Sequence, residues 1–218
     1  MIGDKLVITD YHRQSAAKIF NTVREALTAA KLPFVVTIAG ESGSGKSEVA
    51  AVFAELCEAS GFKALILQQD DYFFYPPKTN HNRRLDDLSW VGMQEVNLSL
   101  IEEHIEKIKA GESSLTKPLV NYEADQIGEE TVSVKGLKVV VVEGTYTTTV
   151  ANADFRAFIN RNYRQTKKAR LARSRDPLTG FLEQVLAIEH KIIAAHKAEA
   201  NLVIDPPEEE REQAHPEQ

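Results

Sequence analysis

Apolar and polar positions along the chain follow two periods. Five short runs, residues 33–39 (PFVVTIA), 63–68 (KALILQ), 137–142 (LKVVVV), 154–160 (DFRAFIN) and 201–205 (NLVID), have the length and apolar or β-branched content of buried strands. Residues 15–30, 48–59, 94–110 and 180–198 instead carry apolar side chains at helical spacing, as in Val49, Val52, Phe53 and Leu56. Strands alternating with helices predict βαβ units, an α/β fold whose parallel sheet is covered on both faces. Ligands of such sheets bind beyond the carboxyl ends of the strands, so residues just past each run are the first candidates for function. The expected organisation is an N-terminal helical extension (1–32), one α/β domain (33–205) and a disordered, proline-broken acidic tail (206–218).

The first run is followed by Gly40, Glu41, Ser42, Gly43, Ser44, Gly45, Lys46 and Ser47, a complete G-x-x-x-x-G-K-[ST] phosphate loop between a predicted strand and a predicted helix. The three glycines let backbone N–H groups close on phosphate oxygens without a Cβ in the way. The helix opening near Lys46 aims its free amides and its dipole at the same anion. Lys46 adds a mobile charge for the β- and γ-phosphates, and the Ser47 hydroxyl is a ligand for Mg²⁺. ATP and Mg²⁺ are therefore the expected cofactors.

Asp70 and Asp71 follow the second run, where a carboxylate could orient an acceptor hydroxyl and take its proton while the other caps a turn or reaches Mg²⁺ through water. Glu143 follows four valines, as an acidic residue ends a Walker B strand, and Gly144 beside it implies close backbone approach; Ser47, Glu143 and Asp70 form the expected metal set. Residues 161–175 hold seven basic side chains and no acidic one (Arg161, Arg164, Lys167, Lys168, Arg170, Arg173, Arg175) in a chain of net charge −6. Such a segment, a lid over about 161–176, can close over phosphates, stabilise charge on the transferred group and exclude water. Arg164, Lys168 and Arg173 are its first candidates. As a helix it would place Arg164, Lys168 and Arg175 on one face, with Arg170 and Arg173 elsewhere.

The 218 residues, 43% hydrophobic and 27% charged, suit a globular α/β protein. The acidic balance argues against a general nucleic-acid partner. No run is long enough to span a bilayer, so no membrane partner and a cytoplasmic location are expected. Cys57 alone makes no internal disulfide. His190 and His196 are wrongly spaced for a metal on one helix face, His81 lies in a polar stretch, and Trp90 is read as packing. A homo-oligomer is compatible with all of this.

With GESGSGKS, QDDYF (69–73), EET (129–131), VVVVEG (139–144), RSRD (173–176) and FLEQVL (181–186) in this order, the chain resembles the uridine kinase and phosphoribulokinase family over about residues 34–205. The resemblance implies a three-layer P-loop NTPase fold with a central parallel sheet, helices on both faces and a basic helical lid. It also implies ATP-dependent phosphoryl transfer to a hydroxyl of a small molecule, with Asp70 as catalytic base, Glu143 as the Walker B acid and lid arginines within 164–175. One departure concerns the acceptor. Where nucleoside kinases carry P-x-Y-D-F-x-x-H-x-R, this chain has Val120, Asp125 and Ile127 at the tyrosine, histidine and arginine positions. A pocket without those polar partners should not read uridine. The rival reading is a regulatory NTPase or nucleotide switch, but the chain lacks the N-K-x-D element of guanine specificity. A nucleic-acid end kinase is a third, disfavoured by charge.

Overall fold

A computed structural model describes residues 1–2, 6–167, 170 and 180–208 of the chain. Five strands, β1 (Phe34–Gly40), β2 (Ala64–Gln68), β5 (Val139–Gly144), β6 (Phe155–Ile159) and β7 (Leu202–Ile204), pair in the order β2-β5-β1-β6-β7. Every pairing is parallel, so all five carboxyl ends open on one edge. β1 and β5 lie at the centre of the sheet with helices packed on both faces, which is why they read as unbroken apolar runs.

The two sheet faces carry separate cores. Val36, Ile38, Val139 and Val141 pack beneath α1 (Asp10–Ala29) and α2 (Lys46–Ala59), whose Ile19, Phe20, Val52 and Phe53 are buried with them. Val35, Leu67, Val140, Val142 and Phe158 point the other way, onto Ile101 and Ile105 of α4 (Leu98–Lys109) and Ile193 of α5 (Gly180–His196). The helix expected from residue 15 begins at Asp10 after Thr9. The one expected from residue 94 begins at Leu98, because the Asn97 side chain accepts the Leu100 N–H (3.1 Å) and Val96 is extended.

Two elements stand outside the expected series. The antiparallel hairpin of β3 (Ser114–Asn121) and β4 (Gln126–Ser133) forms a second, two-stranded sheet, and α3 (Pro77–Asp86) rises from the proline-rich stretch after Asp70. They brace each other. Asp125, in the left-handed region (φ 52°) at the hairpin turn, accepts from Lys78 N (2.6 Å) and Thr79 Oγ1 (2.9 Å), capping α3 whose own N-cap is Pro76. Among the described residues no helix is long and apolar enough to cross a membrane.

Candidate active site

The phosphate loop turns between β1 and α2 at the carboxyl edge. Gly45 takes φ +97° at the N-cap of α2, and a Cβ built there would stand 2.5 Å from His12 Nε2, so the imidazole of α1 lies directly on the loop. Lys46 Nζ donates to the Glu41 carbonyl (3.0 Å), and the buried Ser44 hydroxyl has no hydrogen-bond partner among the described residues. The Glu41 side chain faces away from the loop's cavity. Its carboxylate receives the Tyr163 N–H (2.7 Å) and contacts His190 Nδ1 (2.7 Å), tying the loop to the segment after β6 and to α5.

Glu143, at the end of β5, is a buried acid of the site. Its Oε1 accepts from Ser47 Oγ (3.1 Å) and Gln68 Nε2 (3.3 Å). Burial, then the negative charge of Asp70, push its pKa up to about 7, against the opposing pull of Lys46. Lys46, Ser47, Asp70 and Glu143, expected from four positions in the sequence, thus share one electrostatic neighbourhood. Gly144 beside them admits no side chain, since a Cβ would stand 2.2 Å from the Gln69 Cβ. Gln69 instead packs flat and accepts the Tyr146 N–H (2.8 Å).

The two aspartates after β2 part company. Asp70 is exposed and lines a cavity of about 230 Å³ together with Ser42 of the phosphate loop. Asp71 is 1% exposed and faces the hairpin, accepting the Val120 N–H (3.0 Å) and pairing with Lys117 (3.1 Å), which also pairs with Glu130 (2.7 Å). Asp71 therefore anchors β3 to the end of β2, on the wall of a second cavity that Ser47 and Glu143 also line. Asp71→Ala is expected to lower folding stability by about 3 kcal/mol, the low end of the range for a broken buried pair because Lys117 keeps Glu130, while leaving ATP-analogue affinity within twofold. Chemical denaturation and a binding titration check both parts. Normal stability with a selective loss of turnover would contradict this assignment.

The wall opposite the phosphate loop comes from α3, α5 and the hairpin. Arg84 of α3 donates Nε to Glu95 (2.6 Å) and a terminal nitrogen to Glu189 of α5 (3.1 Å). Glu95 is fully buried and also receives Asn80 Nδ2 (2.5 Å) and the Gly92 N–H (2.7 Å), and Asn80 Oδ1 accepts Trp90 Nε1 (2.9 Å). Trp90 is thus packing with a hydrogen-bonding role. His81 reaches the cavity with its ring edge-on to Phe181 (5.6 Å). The positions that depart from the nucleoside-kinase pattern do not line this cavity. Val120 is buried in the hairpin, Asp125 caps α3 and Ile127 is on the surface; the hairpin's contribution is Tyr122. Polar residues on one side of α3, Asn80 and Arg84, were the available signal for this wall.

The basic segment differs from expectation. Arg164 is exposed, its guanidinium over the Tyr163 ring (5.7 Å). Arg161 and Arg170 take its place. Arg161 donates to the Ser44 carbonyl (3.2 Å) and stacks over Tyr11 (5.0 Å). Arg170 lies against Gly43 and donates to Thr166 Oγ1 (2.6 Å), leaving Nε and its second amino nitrogen buried without a hydrogen-bond partner among the described residues. Thr166 Oγ1 in turn donates to the Ser42 carbonyl (2.9 Å). Helical phasing misplaced Arg170 because residues 163–166 form turns before the helical register starts at Lys167. Lys168, Arg173 and Arg175, with the acidic tail from residue 209, lie outside the described residues.

Comparison with known proteins agrees with this geometry. The profile of the Phosphoribulokinase / Uridine kinase family matches residues 35–168. A uridine kinase of Bacillus pumilus is 32% identical over 117 residues, covering 52% of each chain. A bifunctional alpha-galactosidase/sucrose kinase of Mediterraneibacter gnavus is 24% identical over 184 residues, 78% of this chain and 20% of that one. The chain thus spans about half the length of the one relative and a fifth of the other. In fold it is similar to the solved structure of a candidate fructose transport system kinase from Silicibacter sp. TM1040, with a TM-score of 0.64 at 17% identity over 87% of this chain and 98% of that one. The loop, the strand order and the matched profile converge, and the chain belongs to the phosphoribulokinase and uridine kinase family, whose members are kinases.

Proposed function

We propose that this chain transfers the γ-phosphoryl group of ATP to a hydroxyl of a small molecule bound in the cavity beside the phosphate loop. One observation carries the reading: the exposed carboxylate of Asp70 and Ser42 of the phosphate loop line the same cavity. An acceptor there lies between the group that would take its proton and the loop that would hold the phosphoryl donor. Backbone amides of residues 40–47, with Lys46, bind and orient the phosphates. Asp70 orients the acceptor hydroxyl and accepts its proton. Arg161 and Arg170 approach the loop from the lid side and would offset charge on the transferred group.

The site suits Mg²⁺, which when bound with the triphosphate would neutralise its negative charge. The Ser47 hydroxyl and the Glu143 carboxylate, 3.1 Å apart, are hard oxygen donors, with Asp70 close enough to raise the Glu143 pKa. Among the described residues no group of three or more acidic, histidine or cysteine side chains is placed to hold a metal ion by itself.

ATP consumption measured with and without a panel of hydroxyl-bearing metabolites tests the proposal. Turnover is expected to stay at background until one acceptor raises it at least tenfold, with a phosphorylated product. ATP hydrolysis equally fast with no acceptor would overturn it in favour of an NTPase.

A further inference from the structure

Two neighbouring residues of α5 hold different partners. Glu189 accepts a terminal nitrogen of Arg84, in the wall of the acceptor cavity, at 3.1 Å. His190 Nδ1 meets Glu41 Oε1 of the phosphate loop at 2.7 Å. A carboxylate only accepts, so Nδ1 carries the proton, which the neutral ring can supply as well as the charged one. Val185, Leu186 and Ile193 bury the helix around these two positions. Consecutive residues of one packed helix move as a body, so a displacement felt at His190 is felt at Glu189.

Glu41 is placed to register the nucleotide. Its carbonyl accepts Lys46 Nζ at 3.0 Å, and its carboxylate takes the Tyr163 N–H at 2.7 Å beside His190. A triphosphate in the loop draws on the same Lys46 ammonium. Binding therefore changes the bonds made by a loop residue whose side chain carries α5. Beyond α5 the contacts continue without a gap. Arg84 Nε donates to Glu95 at 2.6 Å, Asn80 Nδ2 donates to Glu95 at 2.5 Å, and Asn80 Oδ1 accepts Trp90 Nε1 at 2.9 Å. Glu41, Glu189 and Glu95 are all buried, so these charge-assisted bonds are short, little screened and sensitive to small shifts.

We infer that Glu189 and His190 are positioning residues that couple the two halves of the site. A nucleotide seated in the phosphate loop sets the arrangement of the acceptor wall through Glu41, α5 and Arg84. By linkage, an acceptor seated against that wall strengthens the hold on the nucleotide by the same factor. The inference rests on the kinase reading only for what the wall binds.

Trp90 supplies the test. It is the single tryptophan of the chain and stands at the far end of these contacts, yet it is not among the described residues that line the cavity. Its emission therefore reports on the wall and not on contact with a ligand. The intact chain is titrated with Mg²⁺ and a non-hydrolysable ATP analogue, with calorimetry in parallel to establish saturation. Trp90 emission is expected to shift with the Kd that calorimetry gives. His190→Ala and Glu189→Ala, each brought to saturation, should lose the shift, and His190→Asn, whose amide nitrogen stands where Nδ1 stood, should recover it. A residue that only supported folding would lower stability and leave the shift at saturation unchanged. For the hydroxyl compound that stimulates turnover, the analogue should raise affinity at least about fivefold in the parent chain and less than about twofold in both alanine variants. A saturated parent chain with no shift, a shift that survives in either alanine variant, or a His190→Asn protein no better than His190→Ala would overturn the inference. If His190→Ala no longer binds nucleotide, Glu189→Ala decides, because its contact lies on the wall and not on the loop. Phosphorylation of an acceptor without the Trp90 shift would remove the coupling and leave the kinase reading. The expected shifts in a chain that phosphorylates no hydroxyl compound would remove the kinase reading and leave the coupling.

Discussion

Asp70→Asn is expected to bind Mg·ATP analogues within about twofold of the parent chain and to lose about 10²- to 10⁴-fold in phosphoryl transfer, the range for removing a general base. The split follows from where the side chain sits. Asp70 is exposed into the acceptor cavity, and among the described residues no hydrogen bond or ion pair joins it to the loop amides or to Lys46, so the amide leaves the loop intact. The change removes the proton acceptor and substitutes a group that still hydrogen-bonds a hydroxyl. The Michaelis constant for the acceptor should therefore rise far less than kcat falls. The replacement also removes a negative charge beside Glu143, so the Glu143 pKa should drop toward the ordinary carboxylate range. Steady-state kinetics with the acceptor that stimulates the parent chain, alongside a nucleotide titration, separates these quantities. Full kcat in Asp70→Asn would remove the aspartate from the chemistry.

The features legible in the sequence were those with a local physical cause. The phosphate loop needs three glycines at fixed spacing, and the central strands β1 and β5 are apolar on both faces because both are covered. Asp70 and Glu143 stood out because parallel topology delivers strand ends to one edge. The hairpin was hidden for the opposite reason. In β3 one inward position is Lys117 rather than an apolar residue, since its partner Asp71 comes from a distant element, and β4 is largely exposed. Alternation therefore breaks where the structure substitutes an ion pair for a hydrophobic contact. The acceptor wall was hidden likewise. Arg84, Glu95 and Glu189 lie on α3, a short helical turn and α5, and only tertiary packing makes them a network. His12 on Gly45 is a further long-range contact, from a helix that precedes the matched family region. Arg164 was favoured over Arg170 because helical phase was extended through residues 163–166, which form turns.

Glu143→Gln is expected to make the nucleotide-free protein more stable and nearly inactive, opposite signs from one substitution. A carboxylate with a folded-state pKa of about 7, against an ordinary 4.5, opposes folding wherever the unfolded chain ionises and the folded one resists. Below pH 4.5 both states hold the proton and there is no penalty. Between pH 4.5 and 7 the unfolded chain gives up its proton first, so stability contributed at this site falls as pH rises. Above pH 7 the penalty levels off, at about 3 kcal/mol at most by the conversion of 1.36 kcal/mol per pKa unit. Glutamine keeps the volume and can still meet Ser47 and Gln68 while removing the buried charge. At pH 8 the variant should therefore melt about 2–12 °C higher, taking 1–3 kcal/mol and about 2–4 °C per kcal/mol for a domain of this size. At pH 5 the difference should shrink to about a quarter of that. Turnover should fall at least about tenfold, because the amide cannot balance positive charge next to Ser47 and Lys46 as a carboxylate does. Melting curves from pH 5 to 8 for both proteins provide the check. A variant no more stable at pH 8 than at pH 5, relative to the parent, would mean that Glu143 is ionised without cost. The carboxylate at the end of β5 would then not be a group held under electrostatic tension for the nucleotide's cation to relieve.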